Sequence, residues 1–161
     1  MPPASITFGE LDSRASERAQ RLLSCCEQAG FAAELSASIK TVLWAKLAVI
    51  CAQAGMTAAV RLPIGEIRTA AAAWAAFSRL VAEVCAVAEA EGHPVPQAAR
   101  ERALAVAQAV PGSFSSPHDD LVALHGFVVR RAARHGLAVP TSVTVYAILQ
   151  PWAIRNQRAS T

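Results

Sequence analysis

The sequence predicts a mainly α protein: a multi-helix bundle with a small N-terminal α/β remnant. Three observations predict it. From Ile39 onward apolar residues recur at helical spacing in long stretches, each closed by glycine or proline. Only "ITFGEL" and "FAAEL", both near the N-terminus, read as short strands. No Pro/Gly/Ser linker is long enough to divide the chain, and 161 residues suffice for a single domain with a real core. The expected organisation is one domain over 1–161, with the α/β remnant over 1–37, the helical part over 38–155 and a frayed tail over 156–161.

The elements follow in order. Ile6 to Leu11 forms the first strand. "DSRASERAQRLLSCCEQAG" is a helix capped by Asp12, Ser13 or Ser16, with Ala15, Ala19, Leu22, Leu23 and Cys26 as its apolar stripe and Gly30 as its stop. A second strand at "FAAEL" leads to Ser36 or Ser38, either of which can cap a helix from about Ile39 to Ala54, stopped by Gly55. A short helical piece, Thr57 to Leu62, breaks before Pro63. "IGEIR" then turns the chain into a long helix from about Thr69 to Glu91, with Glu66 and Arg68 as a structural turn that caps it. "GHPVP" stops that helix. Helices over Gln97–Val110 and Asp119–His135 flank the loop "GSFSSPH", and Thr141 or Ser142 caps a last helix to about Arg155.

Composition removes several function classes. Apolar residues make up 53% and charged residues 17%, with a net charge of +3 spread along the chain. That is rich for a small soluble protein and points to apolar surface covered by a partner or a second copy. The densest basic patch, "VVRRAARHG", fits a solvated helix face near a C-terminus, where the dipole favours Arg130, Arg131 and Arg134. Basic residues clustered with stacking aromatics are missing, so no nucleic-acid partner is expected. "MPPASITFGELD" lacks the basic start and apolar run of an export signal, and no membrane span is expected, which points to a cytoplasmic protein. Cys25, Cys26, Cys51 and Cys85 form no C-x-x-C pair and read as buried, reduced thiols. The four histidines lack ligand spacing, so no metal is expected. Trp44, Trp74 and Trp152 read as core or interface residues.

Four segments carry a resemblance. They are "ITFGELDSRASERAQRLLSCCEQAGFAAELS", "LWAKLAVICAQAGMTAAVRLP" with its W-x-K, "GEIR", and "GFVVRRAARHGLAVP". In this order they resemble the ketopantoate reductase (2-dehydropantoate 2-reductase) family, over about Ile6 to Ile154. The resemblance implies that family's C-terminal helical domain, preceded by only the tail of its dinucleotide-binding domain. It also implies a role for Lys46 as a general acid facing a keto acid.

The departures shape the functional reading. No G-x-G-x-x-G exists in the chain, so no cofactor is expected to bind in the family's manner. The family's lysine is followed four and eight residues on by asparagines. Here those positions are Ile50 and Ala54, which would line a greasier substrate pocket beside Lys46. The family's serine loop survives as Ser115 and Ser116, expected either to touch substrate or to serve as turn residues. Counting back from Gly126 puts Asp120 where the family has a glutamate, although an acid in a helix's first turn is also ordinary. His118 lies in the shortened loop and titrates in the range useful for catalysis.

Lys46, Asp120 and His118 are therefore the candidate catalytic residues, with Ile50, Ala54, Ser115 and Ser116 for substrate. A cation in an apolar pocket can stabilise an enolate or alkoxide. The first expectation is a non-redox enzyme of cyclase, isomerase or dehydratase type, acting without cofactor on a small biosynthetic molecule. The alternatives are the substrate-binding half of a split NADPH-dependent 2-keto acid reductase, completed by a separate nucleotide-binding chain, or a non-catalytic dimerisation or binding module. A homodimer is expected under the first and last.

Overall fold

Seven helices and two strands make up the described part of the chain, which in the computed structural model is residues 5–109, 112–116 and 119–159. In order these are β1 (Ser5–Phe8), α1 (Glu17–Gln28), β2 (Ala32–Leu35), α2 (Ile39–Val60), α3 (Ile64–Thr69), α4 (Ala71–Ala90), α5 (Gln97–Ala109), α6 (Asp119–Arg134) and α7 (Pro140–Ala159). The mainly helical class holds. The contacts fall into two compact units, Met1–Leu43 and Trp44–Thr161.

The first unit is a βαβ crossover. β1 and β2 pair in parallel, in register from Ser5↔Ala32 to Phe8↔Leu35, and α1 is the connection that parallel strands require. Ser16 caps α1, its hydroxyl accepting from the Ala19 N–H at 3.2 Å. Gly30, at φ 70, ends it with the Phe31 N–H on the Cys26 carbonyl. Of the apolar stripe anticipated on α1, only Ala19 is buried, and Leu22 is 47% exposed. Cys25 is also exposed and Cys26 half-buried, which corrects the expectation of four buried thiols.

The second unit is built around α4. Phe77, Leu80, Val81, Val84, Cys85, Val87 and Ala88 recur at helical spacing and are all buried. Leu121 and Val128 of α6, Leu149 of α7, Ile64 of α3 and Cys51 and Ala52 of α2 join them. Burial pushes the Cys51 thiol up to about 12, so it is a packing group rather than a nucleophile. α2 and α4 are long and apolar enough to cross a membrane by length and composition, contrary to expectation, yet both contribute buried residues to this core.

Three boundaries differ from the sequence reading, each for a physical reason. α2 does not stop at Gly55 but continues to Val60. A Cβ on Gly55 would lie 2.3 Å from His125 Nε2 and 3.2 Å from Val145 Cγ1, so the glycine serves close helix packing rather than termination. "IGEIR" is a separate helix, α3, and α4 begins after Ala70 with no side-chain cap from Glu66 or Arg68. α7 starts at Pro140 and runs through Pro151. Pro151 removes one bond to the carbonyl of Ala147, which is on the exposed side where water can replace it.

The N-terminus of α7 is capped from another helix. The Glu83 carboxylate of α4 accepts from the Thr141 N–H at 2.9 Å and from the Ser142 N–H and hydroxyl, both at 2.7 Å. Ser142 is fully buried, so these donors have no water to fall back on. Glu83→Ala should therefore cost about 2–3 kcal/mol, measured as a lower urea midpoint, because it strands buried donors at a helix start. Glu83→Gln, which keeps one carbonyl oxygen, should lose about half as much. Equal stability of all three proteins would show that water replaces the carboxylate.

Candidate functional site

The two sides of α2 differ. At about 100° per residue, Trp44, Ala48, Cys51 and Gly55 cluster on one side. All four are buried, and Trp44 packs on Phe127 of α6 with ring centroids 5.7 Å apart. On the opposite side Lys46, Ile50, Gln53 and Thr57 fall within about 60° of one another and form a stripe roughly 16 Å long. Lys46 is exposed, Ile50, Gln53 and Ala54 are half-buried, and Thr57 is fully buried.

Thr57 is buried on the outer side because residues 112–116 fold over it. Its hydroxyl donates to the Gln53 carbonyl at 2.8 Å and accepts from the Ser115 N–H at 3.1 Å. The Gln53 side-chain amide donates to the Ser113 hydroxyl, and the Ile64 N–H donates to the Ser113 carbonyl at 2.9 Å. The serine loop is thus tied to the far end of the stripe that Lys46 opens. Ser115 is half-buried and Ser116 exposed, and neither hydroxyl is used in a hydrogen bond among the described residues. Lys46 has no ion pair or hydrogen bond among the described residues.

Lys46, Ile50, Gln53 and Thr57 thus share one side of α2, and the loop carrying Ser115 is bonded at the Thr57 end, about 16 Å from Lys46. Asp120 is exposed in the first turn of α6, where it suits the helix dipole. His118 lies outside the described residues. Gln53 and Thr57 were missed because the sequence was read at steps of four. Steps of seven and eleven return within about 20° of the starting azimuth, whereas a step of eight drifts by about 80°. Ala54, at step eight, accordingly lies at the edge of the stripe.

Behind α2, His125 of α6 is fully buried, and neither ring nitrogen has a hydrogen bond among the described residues. The Cys51 carbonyl faces the ring but outside good hydrogen-bond geometry, and offsets little of the burial. Desolvation pushes the imidazole down to about 4. It is a core group, not a catalytic base.

The turn between β1 and α1 does not suit a dinucleotide. In a βαβ unit the pyrophosphate approaches the turn between strand and helix, on backbone amides that glycines expose. In this turn Glu10 occupies that ground. Its carboxylate accepts from the Ser16 hydroxyl and the Arg18 guanidinium, and the Arg18 guanidinium holds it down to about 2. A fixed anion and a single glycine, Gly9, do not fit a pyrophosphate. Gly9 itself is spoken for, since a Cβ there would lie 2.4 Å from the Ser36 carbonyl oxygen. Among the described residues no group of three His, Cys, Asp or Glu side chains could hold a metal.

The family model described as ketopantoate reductase PanE/ApbA C terminal matches residues 38–153. An uncharacterized oxidoreductase of Bacillus subtilis, YkpB, is 31% identical over 154 residues, covering 90% of this chain and 51% of the relative. A 2-dehydropantoate 2-reductase of Shigella flexneri is 32% identical over 133 residues, covering 77% of this chain and 43% of the relative. The chain thus spans about half the length of the curated relatives it matches. Among solved structures, a PanE/ApbA family ketopantoate reductase from Ralstonia eutropha superposes with a TM-score of 0.82 at 24% identity, over 96% of this chain and 53% of that one. A dimeric ketopantoate reductase from Staphylococcus aureus gives 0.77 at 20% identity, over 94% and 54%. At these identities the structures establish the fold alone.

Two outcomes test the site's frame. The unfolded chain protonates His125 near 6.5 and the folded one near 4, so its contribution is complete above pH 6.5 and lost as pH falls towards 4. The loss should be about 3 kcal/mol over that window. In His125→Asn the urea midpoint should fall less steeply between pH 6.5 and 4 than in the parent. Thr57→Val should cost about 1–2 kcal/mol and speed proteolysis of the serine loop, since the Ser115 N–H loses its acceptor. Unchanged cleavage would mean that the loop is held by other contacts.

Proposed function

Since the chain belongs to the ketopantoate reductase family through that family's C-terminal helical domain, we propose that it is the substrate-side half of a 2-keto acid reductase. The dinucleotide-binding domain would come from polypeptide outside these 161 residues. The observation that carries the reading is the outer stripe of α2, where an unpaired Lys46 cation opens a row that ends under the serine loop. A 2-keto acid offers a carboxylate and a carbonyl oxygen. An ammonium at the mouth of the stripe would attract the first or polarise the second, and Ile50 and Ala54 would contact the carbon chain. Asp120 and His118 remain accessory candidates in this scheme.

The relatives named above are reductases or an oxidoreductase, which favours the reductase half over the cofactor-independent cyclase or isomerase first expected. Homodimerisation belongs to the same proposal. The S. aureus protein is described as dimeric, and α7 leaves Val143 and Ile154 exposed as apolar surface. A cytoplasmic location is proposed with it.

The test is NADPH oxidation by the chain combined with the dinucleotide-binding polypeptide that co-purifies with it, using 2-dehydropantoate and smaller 2-keto acids as substrates. The chain alone should be inactive and the pair active. Lys46→Ala should lower kcat/KM by about 10²–10⁴ while leaving the thermal midpoint unchanged, because an exposed acid–base group contributes to the reaction and not to the core. Full activity in the variant would remove Lys46 from the mechanism. Turnover of a substrate by the chain without any nucleotide would return the cyclase reading to first place.

A further inference from the structure

A second feature of the helical unit is independent of the reductase reading. Arg61 and Arg155 both stack on the indole of Trp152, their guanidinium carbons 4.3 and 4.6 Å from the ring centroid. Trp152 is half-buried in α7, so the fold fixes the ring, while both arginines are exposed. The face of an indole attracts a cation but does not neutralise it. Two like charges therefore share one platform with their repulsion unrelieved. Four arginines have a carboxylate partner: Arg14 has Asp12, Arg18 has Glu10, Arg21 has Glu17 and Arg131 has Glu91. Arg61 and Arg155 have none among the described residues.

The backbone supplies a separate observation. Arg61 directly follows α2 and has φ 59, in the left-handed region where a side chain is strained. Its N–H donates to the Thr57 carbonyl at 2.8 Å and closes the helix. Glycine takes that position without strain and is its usual occupant. Here an arginine holds it, and the strained conformation is the one in which its guanidinium reaches Trp152. Strain retained at an exposed, charged residue points to a role outside the core.

We infer that Arg61, Arg155 and Trp152 form a binding site for a phosphate monoester. A guanidinium fork matches phosphate oxygens in pairs, and three terminal oxygens can serve two forks where one carboxylate would serve one. Both guanidinium carbons lie within 4.6 Å of one ring centroid, and these exposed side chains can turn towards a single tetrahedral group at the edge of that ring. The surroundings suit an organic body on that phosphate. Ile148, one turn before Trp152 on α7, is 47% exposed, and Leu62, next to Arg61, is 43% exposed.

The experiment is calorimetric titration of the whole chain with inorganic phosphate and with phenyl phosphate, against sodium chloride at matched ionic strength. Both should bind, phenyl phosphate with a Kd of about 1 mM or tighter and inorganic phosphate more weakly. Arg155→Gln should weaken binding at least about tenfold, as loss of one charge-assisted pair requires. Arg61→Gly should weaken it equally yet keep or raise the thermal midpoint in phosphate-free buffer, because glycine relieves the left-handed strain. Phosphate heats no larger than those of chloride would overturn the assignment. So would Arg155→Gln or Arg61→Gly proteins that bind phenyl phosphate as the parent does.

Discussion

The helical unit depends on one close approach, that of Gly55 in α2 to His125 in α6. Any side chain at position 55 would meet the imidazole 2.3 Å from its Cβ, and Val145 of α7 fills the space alongside at 3.2 Å. Three helices therefore meet at a residue without a side chain. The arrangement has two consequences. Neither ring nitrogen of His125 has a hydrogen bond among the described residues, and the ring is neutral because burial opposes its charge. α7, drawn in by Val145, then needs its N-terminus satisfied inside the protein, which the Glu83 carboxylate does.

That contact also orients α2. With Gly55, Cys51, Ala48 and Trp44 turned to the core, the opposite side must carry Lys46, Ile50, Gln53 and Thr57. The helix is apolar nearly all round, and the core accounts for only one side of it. The other side is divided. Its C-terminal end is covered by the serine loop, which is why Thr57 can be fully buried there. Its N-terminal end, with Val49 and Ile50 half-buried around an exposed lysine, has the composition of a surface meant to be covered.

The sequence disclosed the class and the ancestry well and the helix faces poorly. Strand alternation, the Ser16 cap and the Gly30 stop located the βαβ unit because those signals are local. Gly55 was misread because a glycine that ends a helix and one that admits a neighbour look alike in one dimension. "IGEIR" reads as a turn in one dimension, and whether six residues close into their own helix is settled by Ile64 and Ile67 finding the core. Lys46 and the serine loop stood out in the sequence as candidates, whereas Gln53 and Thr57 did not. Those two matter through residues some sixty positions away, Ser113 and Ser115, and no periodicity within α2 announces a loop that distant.

Positions 50 and 54 are apolar, yet the outer side of α2 is not without polar groups. Gln53 and Thr57 bring an amide and a hydroxyl to the same azimuth, yet both are engaged by the serine loop. They build the far wall of the site and are not free to hold a ligand. What remains open along the row is the Lys46 cation and the half-buried aliphatic surface of Ile50 and Ala54. Such a surface discriminates by one charge and by apolar contact, with few directional bonds. Under the proposed reductase half, substrates with an anionic head and an aliphatic body would gain most from it, because each further hydroxyl would be desolvated without a partner.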